Sequence, residues 1–181
     1  GFEPAVRAEQ VVKTVFEFIL ERLRGYYLDQ GVRADTVEAV LECQPSRPLD
    51  FGRRVRAVDA FRALPEAASL TAANKRIRNI LKKVETVLPF AVQPERLVEE
   101  SEQALAGRLA ELASEVVPLM ESGLYAEALC RLAGLREPVD AFFDRVMVMA
   151  EDPALRDNRL ALLNELSSLF LRVADFSRLQ E

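Results

Sequence analysis

Apolar residues return at intervals of three and four along almost the whole chain, a spacing that lines them up on one face of a helix. The strand signature, alternating Val, Ile and Thr between Asn-Gly or Asp-Gly turns, is missing. The fold class this predicts is all-α: an antiparallel bundle of about eight helices, each burying one apolar stripe against its neighbours.

Proline and glycine punctuate those helices. The first is expected from about Ala5 to Asp29, with Val12, Val15, Phe16, Ile19, Leu20 and Leu23 as its stripe and Gly31 as its C-terminal cap. The second starts at Asp35, where Asp35-x-x-Glu38 has the spacing of a capping box, and ends near Cys43, ahead of Pro45 and Pro48. The third takes Asp50 as N-cap and runs to Leu64, where Pro65 stops it. A fourth helix, about Glu66 to Glu85, leads into a short linker, Pro89 to Pro94, which is the best internal boundary. Pro94, Pro138 and Pro153 suit first helical turns, where a missing N–H costs nothing. Helix five is therefore expected from Pro94 to about Pro118 or Met120, helix six from Tyr125 to Leu135, helix seven from Pro138 to Met149 and helix eight from Pro153 to Leu179.

A chain of 181 residues that is 50% hydrophobic can bury a core without staples. Cys43 and Cys130 form no Cys-x-x-Cys pair, and with no histidine in the chain they do not suggest a zinc site or a disulfide framework. Each thiol is expected as a small apolar side chain in or beside the core, as fits a reducing cytosol. Without histidine, Ser-His-Asp and Cys-His nucleophilic sites cannot be assembled from this chain. Glu99, Glu100 and Glu102 read as a solvated helix face, so no catalytic residue and no metal ligand is assigned. No apolar run approaches the roughly 20 residues of a membrane span. The start Gly1-Phe2-Glu3-Pro4 lacks the build of a signal peptide and is expected to be a cut edge of a longer chain.

Charge is unevenly placed. The chain carries −5 overall, yet residues 51–83 hold nine basic and two acidic side chains, a balance of +7 in 33 residues. Such a segment inside an acidic protein points to an anionic partner. Its centre is the run from Asn74 to Lys83. At 100° per residue, Ile77, Ile80, Leu81 and Val84 share one arc, while Lys75, Arg76, Arg78, Asn79, Lys82 and Lys83 take the other side. No acid lies within the run to form i, i+4 pairs. A solvated charged surface would give the same pattern. Of four lysines in the chain, however, three are Lys75, Lys82 and Lys83, and unneutralised cations on one face suit phosphates. Asn74 and Asn79 could add hydrogen bonds to bases or sugars, and Arg53, Arg54, Arg56 and Arg62 could extend the surface.

Two weaker constellations follow. In Pro138 to Met149, Phe142, Met149, Val139 and Val146 are expected mainly in the core, but adjacent Phe142 and Phe143 cannot face the same way. One of them, beside Arg145, could stack on an unpaired base. In the helix from Pro153, Arg156 with Asp152 and Arg159 near Asp157 read as local pairs.

Three stretches, Phe18 to Tyr27, Ala73 to Lys83 and Arg136 to Phe143 continuing through Met149, resemble in this order the C-terminal region of bacterial glycyl-tRNA synthetase β subunits. From about Leu70 onward the chain is also similar to the DALR-type anticodon-binding domain shared with arginyl-tRNA synthetases, through the helix ending at Lys83 and the helix start Leu155 to Leu163. The resemblance implies a DALR-like fold over residues 65–181, with residues 1–64 flanking or completing it, or one continuous domain 1–181. It implies a cytoplasmic parent, an α2β2 glycine–tRNA ligase whose α subunit holds most of the glycyl-adenylate site while this end of β grips the anticodon arm of glycine tRNA. ATP and magnesium would then belong to the parent. The fragment itself would need no cofactor, would not aminoacylate alone and would have no membrane or DNA partner. The tRNA-binding residues so implied are Asn74, Lys75, Arg76, Arg78, Asn79, Lys82, Lys83 and Arg145, with Phe142 and Phe143 for stacking. Glycine anticodons share two cytosines, whose edges suit Arg, Lys and Asn readers. The competing expectation is a helical protein–protein scaffold in which the acidic fifth helix and the Leu-rich last helix pack on a partner.

Overall fold

A computed structural model describes residues 4–84 and 91–180. These residues form eight α-helices and, among the described residues, no strand: α1 (Pro4–Asp29), α2 (Ala34–Leu41), α3 (Pro48–Arg62), α4 (Ala67–Leu81), α5 (Glu100–Glu121), α6 (Tyr125–Leu132), α7 (Arg136–Arg145) and α8 (Pro153–Leu171). Single 3-10 turns occupy Pro94–Arg96, Ala133–Leu135 and Phe176–Arg178. The expected all-α class is what forms.

Gly31, at φ 84°, closes α1 as expected: the Val32 N–H donates to the Tyr27 carbonyl at 3.1 Å across the left-handed turn. The stripe it closes is only partly buried. Leu20 and Leu23 pack on the core, but Val12 and Val15 are 68% and 52% exposed. A helix of 26 residues is about 39 Å long, and only its C-terminal end rests on α2 and α3. Gly52 permits that docking, because a Cβ there would collide with the Tyr27 hydroxyl.

Several helix boundaries differ from the sequence expectation, each for a local reason. Arg33, not Asp35, is the N-cap of α2, and Arg47 is that of α3, whose first turn holds Pro48. Asp35 and Asp50 fall inside the first turns, where carboxylates favour the helix dipole. Pro94 opens only a 3-10 turn. The fifth helix starts at Glu100 behind a capping box in which Glu99 and Glu102 bond each other's backbone N–H groups. Glu102 is fully buried rather than solvated, and its second oxygen pairs with Arg159 of α8, whose guanidinium also donates to the Met147 carbonyl at 2.9 Å. Arg159 thus reaches across the bundle instead of pairing with Asp157, while Arg156 lies 3.7 Å from Asp157. Helix α4 ends at Leu81; the expected end at Glu85 and the start of the linker at Pro89 lie outside the described residues.

Helix α8 stops at Leu171, short of Leu179, and the chain turns back so that the Asp175 N–H donates to the Ala39 carbonyl of α2 at 2.8 Å. Phe176 then enters the core edge-on to Phe61 of α3 (5.1 Å) and Phe170 of α8 (5.0 Å). Such aromatic pairs add about 0.5–1.5 kcal/mol each beyond area burial. Helix α5 packs on α6, α7 and α8, α6 also on α3, and α4 on α7, α8 and the C-terminal turn. Buried apolar residues from Tyr27 to Leu179 make one continuous cluster. Cys43 is half-buried and donates its thiol to the Leu171 carbonyl, and burial pushes its pKa up. Cys130, expected in or beside the core, is exposed.

Candidate nucleic-acid interface

Helix α4 forms because Leu70, Ala73 and Ile77 repeat at helical spacing and bury against α7, α8 and the turn at Phe176. That anchoring leaves its other side outward. Arg76, Asn79, Lys82 and Lys83 are exposed and Lys75 is half-buried. Lys75, Lys82 and Lys83 have no ion pair among the described residues.

Arg78 behaves differently from its neighbours. Its guanidinium pairs with the buried Asp175 carboxylate and lies 3.6 Å from Glu42. The expectation of an uncompensated cation fails at this position, because the neutralising acids come from remote segments and not from the helix itself. Arg78 therefore pins α4 to α2 and to the C-terminal turn. Arg178 joins the same cluster through Glu42 and Asp175.

Asn74 is also displaced from its expected role. It is 5% exposed, and its amide donates to the Leu70 carbonyl at 2.9 Å. The helical wheel places it beside the apolar arc, the signal by which its burial can be read. Phe142 is completely enclosed and presents no face to a base. Phe143 is half-buried, with the Arg76 guanidinium stacked 4.2 Å from its ring centroid. Arg145 is exposed at the end of α7.

Of the α3 arginines expected to extend this surface, two turn inward. Arg54 donates to Asp50 at 2.7 Å, to the carbonyls of Arg172 and Val173 and to the Tyr125 hydroxyl, over whose ring it also lies. Burial pushes the Tyr125 hydroxyl pKa up, and its hydrogen bond to Asp50 adds to that. Arg62 donates to Asp35 at 2.9 Å and to the Gln180 carbonyl. Burial alone would raise the Asp35 carboxyl, but the Gln180 N–H and the guanidiniums of Arg62 and Arg33 outweigh it and hold its pKa below the ordinary value. Arg53 and Arg56 remain exposed.

Between α4 and the C-terminal turn lies a groove of about 450 Å³ lined by Lys75, Arg78, Asn79, Lys82, Ser177 and Arg178. Among the described residues, no carboxylate lines it. Ser177 and Arg178 escape a reading of the sequence that carries the eighth helix through to Leu179. Asp175-x-Ser177, whose carboxylate accepts from the Ser177 N–H, is the turn signal that marks the break. No group of three His, Cys, Asp or Glu side chains among the described residues could hold a metal ion, and no described helix is long and apolar enough to cross a membrane.

Fold and site together define a class: a helical domain with a cationic helix face and a cationic groove. Residues 70–173 match the family described as the DALR anticodon binding domain, and the chain belongs to that family. It is 59% identical over 170 residues to the glycine–tRNA ligase beta subunit of Aeromonas hydrophila, covering 94% of this chain and 25% of that protein. The corresponding beta subunits of Glaesserella parasuis and Shewanella halifaxensis are 55% and 53% identical over 94% and 95% of the chain. The chain spans about a quarter of the length of these relatives.

Proposed function

We propose that this chain is the anticodon-arm-binding part of a glycine–tRNA ligase β subunit and that α4 is its principal RNA contact. The observation that carries the reading is the set of lysines without an ion pair among the described residues, Lys75 on α4 and Lys82 and Lys83 just past its end, inside the segment that matches the anticodon-binding family. Lysines without ion-pair partners release counterions from phosphates at no cost in broken pairs. Arg76 and Arg145 add exposed positive charge, Asn79 offers an exposed amide, and the paired Arg78 supplies the groove wall rather than free charge. Asn74 supports the helix from within. Stacking is left to Phe143, since Phe142 is enclosed.

Residues 34–62, which pack on α6 and on the C-terminal turn, complete the same domain in this reading. The parent is an α2β2 cytoplasmic ligase in which the α subunit and the remainder of β supply the ATP- and magnesium-dependent chemistry. No carboxylate cluster among the described residues fits a magnesium ion, so no step of that chemistry is placed here.

A gel shift with glycine tRNA, against the same tRNA altered only at the two anticodon cytosines, tests the reading. Binding of the first and weaker binding of the second are expected. Equal binding of both would remove anticodon recognition. No binding of either at low salt would leave the surface to a protein partner.

A further inference from the structure

We infer, resting on the RNA-binding reading above, that the depression on the opposite flank of α4 is a pocket for one unpaired nucleobase. It has a volume of about 450 Å³ and is lined by Arg76, Asn79, Ile80, Lys83 and Met149. Its origin lies in how α7 ends. Val146 leaves the helix with φ −104° and ψ 122°, and from there burial alternates: Val146 and Val148 are inside, while Met147 and Met149 are 73% and 57% exposed. A helix continued to Met149 would have carried that side chain toward the core. The extended exit instead sets it beside Ile80 of α4.

The chemistry of the lining selects the occupant. Ile80 and Met149 give an apolar surface, and a thioether is polarizable and adapts to the face of an aromatic ring. Arg76 and Lys83 bring positive charge and, among the described residues, no carboxylate lines the pocket, so an anionic or electron-rich group is favoured over a cationic one. The Asn79 amide offers both a donor and an acceptor, which suits a base edge. Asn79 also lines the cationic groove on the other flank. A strand whose phosphates follow Lys75 and Lys82 can therefore cross α4 at Asn79 and drop one base against Met149. Base stacking of this kind tolerates sequence and separates from phosphate binding by its weak dependence on salt.

The test uses the 181-residue chain with its three methionines, Met120, Met147 and Met149, labelled at the methyl carbon. The probes are a glycine anticodon stem-loop RNA and a set of the same RNA made abasic at one loop position at a time. With the intact RNA the Met149 methyl should move upfield by ring current, while the methyl of Met120, 5% exposed in the core, stays in place. One abasic RNA should abolish that shift. Met149→Ala should weaken binding of the intact RNA by about 2- to 10-fold with an unchanged salt slope, and should not further weaken binding of that one abasic RNA. Met149→Leu, which keeps the apolar surface, should bind nearly as the parent does. Tight, salt-sensitive binding with a stationary Met149 methyl and an unaffected Met149→Ala variant would overturn the pocket and leave the RNA reading standing. No binding of the stem-loop at all would overturn both.

Discussion

Arg54 and Arg62 of α3 direct their guanidiniums at Asp50, Asp35 and the carbonyls of Arg172, Val173 and Gln180, whereas Lys75, Lys82 and Lys83 along α4 meet no acid among the described residues. The two helices are neighbours in sequence and share one basic segment, yet two of the four α3 arginines are drawn into internal contacts while the three lysines of the α4 region face outward. The side chains differ accordingly. A planar guanidinium can satisfy a carboxylate and a carbonyl together, which makes it a pin between segments, while an ammonium is a strongly hydrated point charge. Positive charge therefore divides into a part that holds the C-terminal turn onto α2 and α3 and a part that no described acid neutralises. Arg78 belongs with the pins although it sits on α4.

The largest effects should come from the most buried pin. Arg159→Met leaves the fully buried Glu102 without its cation and should cost about 3–5 kcal/mol in denaturant unfolding. Adding Glu102→Gln should recover part of that loss; no recovery would mean that Arg159 acts by packing alone. Next, Arg54→Ala removes hydrogen bonds to a carboxylate, a hydroxyl and two carbonyls and should cost about 1.5–3 kcal/mol. A loss no larger than that of an exposed lysine would erase the distinction between the two helices.

A pH titration sharpens the same contrast. The Asp35 pKa is lowered in the folded state, so its contribution is fully present above the ordinary carboxylate value and is lost as pH falls through the folded value. Unfolding free energy of the parent should therefore decline faster with acid than that of Asp35→Asn, which is already weaker at neutral pH. Parallel curves would show that the clamp from Arg33, Arg62 and Gln180 contributes no net stability.

How far the sequence carries this picture depends on the range of each interaction. Gly31, Pro65 and the Leu70–Ile77 repeat act within a turn or two, and the elements they imply are present. The acids that neutralise Arg78 and Arg159 lie 97 and 57 positions away, beyond any search at i, i+4 spacing. From local spacing, therefore, Arg78 looks free and Glu102 looks solvated, and neither is. The exposure of Met149 is hidden for a related reason: Val139, Phe142 and Val146 satisfy a helical stripe, and nothing local announces that the chain turns extended at Val146. Position on a helical wheel says which side chains face outward, but which outward cations stay unpaired is decided by tertiary neighbours.

The smallest effect on stability should accompany the largest change in salt dependence. Lys75→Ala, Lys82→Ala and Lys83→Ala together remove three cations that no described acid pairs with and leave Arg78 on Asp175 and Ile77 in the core. Because these ammonium groups hold no ion-pair partner among the described residues, the unfolding free energy should change by no more than about 0.5 kcal/mol per substitution, the range typical of surface positions. If the lysines bind phosphates, the slope of log affinity against log salt should flatten by about 0.7–0.9 for each phosphate no longer neutralised, and affinity should fall by a similar factor for glycine tRNA and for its anticodon-altered form. Arg78→Ala should do the reverse, lowering stability by about 1–3 kcal/mol because a buried carboxylate is left without its nearest cation. A lysine triple variant that stays folded and binds tRNA with its affinity and salt slope intact would show that the outward charge of α4 is solvated surface. The division between pinned and free cations would then carry no functional meaning.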